Sequence, residues 1–139
     1  MKIFKVLSIA LALSLGFGVA SAPIWADGDA KRGKKVFNKC KACHKLVAGK
    51  KAVGPSLHGM FGRTAGTAKK FKYSKDMKAA GAKGLIWNDE TFLAYMAKPK
   101  KFIGSLIGKK KARTRMAFNG LKKKKDRVNL LTYLKQATK

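Results

Sequence analysis

Two thiols three positions apart, with an imidazole directly after the second, stand at Cys40-Lys41-Ala42-Cys43-His44. Each thiol can add across one vinyl group of a porphyrin to form a thioether, and the short spacing matches two vinyls on one edge of the ring. The next residue then lies under the iron and can supply an axial nitrogen. The pentad therefore reads as a c-type haem attachment site, with Cys40 and Cys43 as covalent anchors and His44 as an iron ligand. Three other readings use the same residues. Cys40, Cys43, His44 and His58 could make a zinc site of two thiolates and two imidazoles. Adjacent Cys43 and His44 fit a tetrahedron poorly, however, and no second ligand pair stands at finger spacing. A thioredoxin-like dithiol wants a βαβ context, which the sequence lacks. The third is coincidence in a Lys-rich helix, which the flanking chain must decide.

A flat, largely apolar disc pinned in this way becomes part of the core, so the rest of the chain should wrap it. Asp29 can cap a helix running to about Lys41, with Ala30, Gly33, Val36, Phe37 and Cys40 recurring on one face. Gly33 costs helix propensity, and close approach of another helix would be its return. Leu46 to Ala52 reads as a loop. Three Gly and one Pro among the eleven residues Val53 to Arg63 forbid a regular helix there. A ligating histidine needs an acceptor for its other ring N–H, and the Pro55 carbonyl is a candidate. Arg63 is suited to a haem propionate, because a guanidinium fork matches a carboxylate.

Ser74 can cap a short helix through Ala80, with Gly81 ending it. Leu85-Ile86-Trp87 reads as a buried apolar segment. Asn88 caps the next helix, with Asp89 and Glu90 at its positive end. Phe92, Leu93, Tyr95 and Met96 give that helix a broad apolar side, and Pro99 stops it. Phe102 to Phe118 reads as a long loop containing Gly104 and Gly108. A last helix begins near Lys123 or Lys124 and runs to about Ala137, with Val128, Leu131 and Leu134 in one stripe widened by Leu130 and Tyr133. No β alternation is convincing. The expected fold is small and all-α, with few helices and long loops around the disc.

Haem attachment follows export, so an export signal is expected. Lys2 and Lys5 form a charged start, Val6 to Val19 is an uncharged apolar run of 14 residues, and small residues follow. Such a run is short for a spanning helix. Cleavage fits after Ala22 or, without Pro23 directly beyond the cut, after Ala26. Residues 1–26 are thus assigned to a signal peptide and 27–139 to one domain. Losing Lys2 and Lys5 takes the basic residues from 33 to 31 against 6 acids, leaving +25. Both cysteines go to the haem, so no disulfide is expected in the oxidising periplasm. Such a charge suggests nucleic acid at first sight, but export argues against it. An acidic protein partner or an anionic membrane face are the other readings.

The chain resembles a class I cytochrome c of bacterial periplasmic type, close to the mitochondrial form, over about residues 28–138. The motifs are Gly28-Asp29, Gly33, Phe37, Cys40-x-x-Cys43-His44, Gly54-Pro55-x-Leu57-His58-Gly59, Phe61-Gly62-Arg63, Trp87, Tyr95, Pro99, Thr114-Arg115-Met116-x-Phe118, and Leu130 with Tyr133. The resemblance implies first and last helices crossing near Gly33, against Leu130 and Tyr133. It implies that Tyr73, Trp87 and Arg63 hydrogen-bond a propionate, and that Tyr95 and Thr114 sit near the Met116 sulfur or support its loop. The residue facing His44 across the iron has five candidates: Met60, Met77, Met96, His58 and Met116. Met77 and Met96 on helices read as core, and Met60 is close to a segment expected on the His44 side. Met116 lies on a long Gly-containing loop that can reach the opposite face, and the resemblance also selects it. A soft, neutral thioether favours reduced iron and fills the sixth position, which suits electron transfer rather than catalysis. The family often carries an Asn roughly where Met77 stands here. The Phe102–Met116 loop is also several residues longer than in the mitochondrial form.

Residues 98–125 hold twelve Lys or Arg and no acid, and Lys39, Lys41 and Lys45 flank the attachment site. The expectation is a monomeric, diffusible one-electron carrier with one haem c, docking through this basic face. Its partners would be acidic-faced redox proteins such as a quinol–cytochrome c reductase, a terminal oxidase or a periplasmic dehydrogenase.

Overall fold

The computed structural model describes residues 28–50 and 52–139. The expected leader and its cleavage point lie outside these. The described chain forms α1 (Ala30–Phe37), α2 (Lys75–Ala82), α3 (Asp89–Ala97), α4 (Pro99–Leu106) and α5 (Lys124–Ala137). Its extended pairing is confined to a single antiparallel bridge, Thr64 with Ile86.

α1 opens on Asp29, whose side chain accepts from the Arg32 N–H. It crosses α5 at Gly33, where a Cβ would lie 2.0 Å from the Asn129 carbonyl oxygen and 2.7 Å from Tyr133 Cβ. The absent side chain lets two backbones touch, as the sequence suggested. Asn129, 3 % exposed, adds a contact that the sequence reading did not anticipate. Its Oδ1 accepts the Asp29 N–H at 2.9 Å. Around the crossing Leu130, Leu131 and Leu134 are almost fully buried, each contributing roughly 1.5–3 kcal/mol of transfer free energy. The Phe37 and Tyr133 rings meet at 5.6 Å.

α1 ends at Phe37, short of the expected Lys41. The chain continues in successive turns, with Cys40 N–H bonded to Phe37 O, and Cys43 and His44 N–H both bonded to Cys40 O. These turns leave the helical cylinder and carry His44 to the 54–55 segment, where Gly54 N–H binds Cys43 O at 2.7 Å. No regular helix forms between Val53 and Arg63.

α2 begins at Ser74, which accepts from Met77 N–H. Gly81 does not end it, contrary to expectation. It lies inside the helix, and a Cβ there would stand 2.0 Å from Ala65 O, so its role is close packing. Gly84, with φ of +91°, turns the chain beyond α2. The Leu85–Trp87 segment is not buried throughout: Ile86 is 46 % exposed. Pairing explains this. Ala65 N–H bonds Leu85 O and Trp87 N–H bonds Arg63 O, and in an extended chain alternate side chains point to opposite sides. Leu85 and Trp87 turn inward, and Ile86 turns out.

α3 carries a capping box in which Asn88 and Thr91 satisfy each other's backbone N–H. Phe92, Leu93, Tyr95 and Met96 are all buried. Lys98, held extended ahead of Pro99, ends it. The 102–118 stretch is not one loop. Pro99 is the first residue of α4, where its missing N–H costs nothing. Ile103 is fully buried on that helix. Among the described residues, no helix is long and apolar enough to cross a membrane.

Candidate functional site

The turns after α1, the 53–63 loop, α2, α3, α5 and the 114–118 segment enclose one cavity. Every site residue expected from the sequence lines it: Cys40, Cys43, His44, Pro55, Arg63, Tyr73, Trp87, Tyr95, Thr114 and Met116. Apolar walls come from Phe37, Phe92, Leu130 and Leu134. On one side stand exposed Cys43 and Val53, with Lys39 beside them.

His44 is fixed from two directions. Its Nδ1 donates to the Pro55 carbonyl at 2.9 Å, because a carbonyl can only accept. The Gly54 backbone presses on the ring, and a Cβ there would come within 2.6 Å of His44 Cε1. Burial lowers the imidazole's proton affinity, partly countered by the Pro55 bond. The neutral tautomer with Nδ1–H leaves Nε2 with a free lone pair, as an iron ligand requires. Burial, helped by nearby Cys43, raises the Cys40 thiol, while Cys43 is exposed.

Across the cavity, Met116 is held by two hydroxyls. Tyr95 Oη donates to Met116 Sδ at 3.8 Å, a long bond to a soft acceptor, and Thr114 Oγ1 donates to Met116 O at 3.2 Å. Burial pushes the Tyr95 hydroxyl far up, with Tyr73 adding a smaller push, so it stays a donor at neutral pH. Its ring meets Trp87 edge-on at 4.9 Å. Burial likewise raises Tyr73, opposed by Arg63 and by the Ala68 backbone. Arg63 spends Nη1 on His58 O at 3.0 Å and Nη2 on Ser56 O at 3.3 Å, so the guanidinium also ties the loop that carries Pro55.

Met60, Met77 and Met96 also line the cavity, each 6–7 % exposed and packed into the core. His58 contributes its backbone carbonyl and is not among the lining residues. No group of three or more His, Cys, Asp or Glu able to hold a metal ion occurs among the described residues, so the zinc set is not assembled. An apolar cavity with two thiols on one wall, a base-presenting imidazole and a thioether suits a covalently bound iron porphyrin.

The cytochrome c family model matches residues 30–138. The chain belongs to the cytochrome c family. It is 44 % identical over 135 residues to cytochrome c2 of Cereibacter sphaeroides, covering 90 % of this chain and 92 % of that one. Cytochrome c of Arabidopsis thaliana is 42 % identical over 120 residues, covering 85 % of this chain and 97 % of the plant protein. The solved structure of cytochrome c2 from Rhodospirillum centenum superposes with a TM-score of 0.74 at 38 % identity, over 81 % of this chain and all of that one. This cytochrome c therefore binds covalent c-type haem at a CxxCH motif and is an electron carrier rather than an enzyme.

Three residues contribute in ways that the sequence did not suggest, Phe118 having stood there only as part of a motif. Phe118 lines both this cavity and a neighbouring lysine-rich groove. Arg127 donates to Leu121 O at 2.6 Å and Lys122 O at 2.9 Å, bracing the far end of the Met116 loop. Asp76 holds its near end.

Proposed function

We propose that residues 27–139, after removal of a leader ending at residue 22 or 26, act as a diffusible periplasmic one-electron carrier. Cys40 and Cys43 would anchor the haem, and His44 and Met116 would be the ligands of its iron. When bound, the haem supplies a one-electron couple at iron. The observation that carries the reading is the pairing of two pre-oriented donors on one cavity. His44 is held through Pro55, and Met116 is held through Tyr95 and Thr114. Ligand positions set in advance reduce the rearrangement that accompanies a change of iron charge. A filled sixth position also keeps small substrates out. Arg63, Tyr73 and Trp87 serve the propionates at the cavity wall.

The lysines set the encounter. Lys98, Lys100, Lys101, Lys109, Lys110 and Lys111 line a surface groove that also includes Pro99, Phe118 and Asn119. Phe118 is common to this groove and the haem cavity, so a partner seated on the lysines comes close to the redox centre. An acidic-faced quinol–cytochrome c reductase, terminal oxidase or periplasmic dehydrogenase matches that charge, with the carrier working as a monomer. Steering of this kind raises association rates by about 10–10³-fold and fades with salt. Turnover with an acidic-faced oxidase should therefore fall steeply as ionic strength rises. A rate indifferent to salt would reject steered docking. Retention on anionic vesicles with salt-independent oxidase turnover would favour a lipid role for the charge.

A further inference from the structure

We propose that Asp76 is a positioning residue for Met116, clasping the lysine-rich 109–113 segment to α2 and so holding the methionine loop against the haem cavity. The inference rests on the axial role given to Met116 above. Asp76 lies in the first turn of α2 and is 7 % exposed. Both its oxygens are engaged by that segment. Lys109 Nζ donates to Oδ1 at 2.6 Å, and the backbone N–H of Arg113 donates to Oδ2 at 2.7 Å. These two contacts hold the carboxyl below its usual range, the Lys109 bond contributing most.

The rest of the segment is folded onto α4. Lys109 N–H bonds Gly104 O at 2.8 Å and Ala112 N–H bonds Lys100 O at 2.9 Å. A Cβ on Gly104 would come within 2.6 Å of Lys109 O, so the packing is tight. Directly after Arg113 comes Thr114, whose hydroxyl holds the Met116 carbonyl. Beyond the methionine, Leu121 N–H bonds Met96 O at 2.7 Å. The ligand loop is thus strung between two posts, Asp76 upstream and the end of α3 downstream.

Electrostatics explains why an acid is needed at the first post. Residues 109–115 hold five cations, Lys109, Lys110, Lys111, Arg113 and Arg115, and no acid. Their mutual repulsion favours lifting the segment into water. One carboxylate with little exposure, bridging a side chain and a backbone N–H, opposes it. Asp76 is followed by Met77, which lines the cavity, so one turn of α2 supplies both a wall and an anchor.

The test is the rate at which imidazole displaces Met116 in the ferric holoprotein, followed by stopped-flow absorption at neutral pH. D76A should bind imidazole about tenfold faster or more, the scale of losing a charge-assisted hydrogen bond, and should show a lower reduction potential. D76N keeps an acceptor for Arg113 and should fall between D76A and the wild type. K109A removes one of the two contacts and leaves the Arg113 N–H on Oδ2, so its rate should fall between the wild type and D76A. A D76A rate within about twofold of the wild type, beside a lowered denaturation midpoint, would mark a merely structural residue and overturn the proposal. If D76A does not fold, a wild-type rate in D76N overturns it equally. M116A separates the two layers. If wild type and M116A bind imidazole equally fast, the axial assignment fails. If wild type is slow, M116A fast and D76A slow, the clasp alone fails.

Discussion

Replacing Gly33 by alanine tests the crossing on which the cavity is built. The new Cβ would start 2.0 Å from the Asn129 carbonyl oxygen, and reaching an ordinary 3.4 Å contact requires 1.4 Å of movement. The obstacle is backbone on α5, so no side-chain rotation relieves it. Overpacking of this kind costs about 1–3 kcal/mol, and a rigid backbone obstacle belongs at the upper end. Alanine returns about 1 kcal/mol of helix propensity. The net loss should be about 2 kcal/mol, a fall in Tm on the order of 10 °C for a domain of this size. Thermal melts of the holoprotein by far-ultraviolet circular dichroism would measure it. Gly49→Ala is the control: nothing lies near that position, and only its φ of +68° is penalised, at about 1 kcal/mol. A Gly33→Ala protein that melts at or above the wild-type temperature would refute the close-contact argument.

Other outcomes follow from the buried phenols and the charge. Tyr95, and less strongly Tyr73, hold their protons in the folded state above the ordinary value of about 10. The unfolded chain releases those protons first, so their stabilisation is complete below that pH and is lost as pH rises above it. Denaturation midpoints between about pH 9 and about pH 11 should therefore fall, and Tyr95→Phe should flatten the fall. An unchanged slope in that variant would contradict the burial argument. Oxidase turnover should decline with added salt, as set out above.

The local devices were legible in the sequence because each leaves a local mark. The pentad, the Asp29, Ser74 and Asn88 caps, the stop at Pro99 and the bare face at Gly33 all appear where they were expected. The Pro55 acceptor for His44 and the hydroxyls around Met116 were legible too, from chemistry and resemblance. What failed depended on partners distant in the chain. Gly81 carries the same letter whether it ends a helix or lies against Ala65, and only the neighbour distinguishes the two. α4 was hidden by Gly104 and the surrounding lysines, although Pro99 followed by Phe102, Ile103 and Leu106 at helical spacing was a usable signal. Asp76 meets Lys109 and Arg113 across 33 and 37 residues, a separation that leaves no local trace. Ile86 was misplaced because an apolar triplet does not reveal an extended pairing.

The central claim is that His44 and Met116 close the iron's two axial positions, and the ferric absorption spectrum with the reduction potential tests it most directly. The ferric wild type should show a weak long-wavelength methionine–iron band. In Met116→Ala that band should vanish and the potential should drop, because a thioether favours reduced iron. A Met116→Ala protein with unchanged bands and an unchanged potential would contradict it.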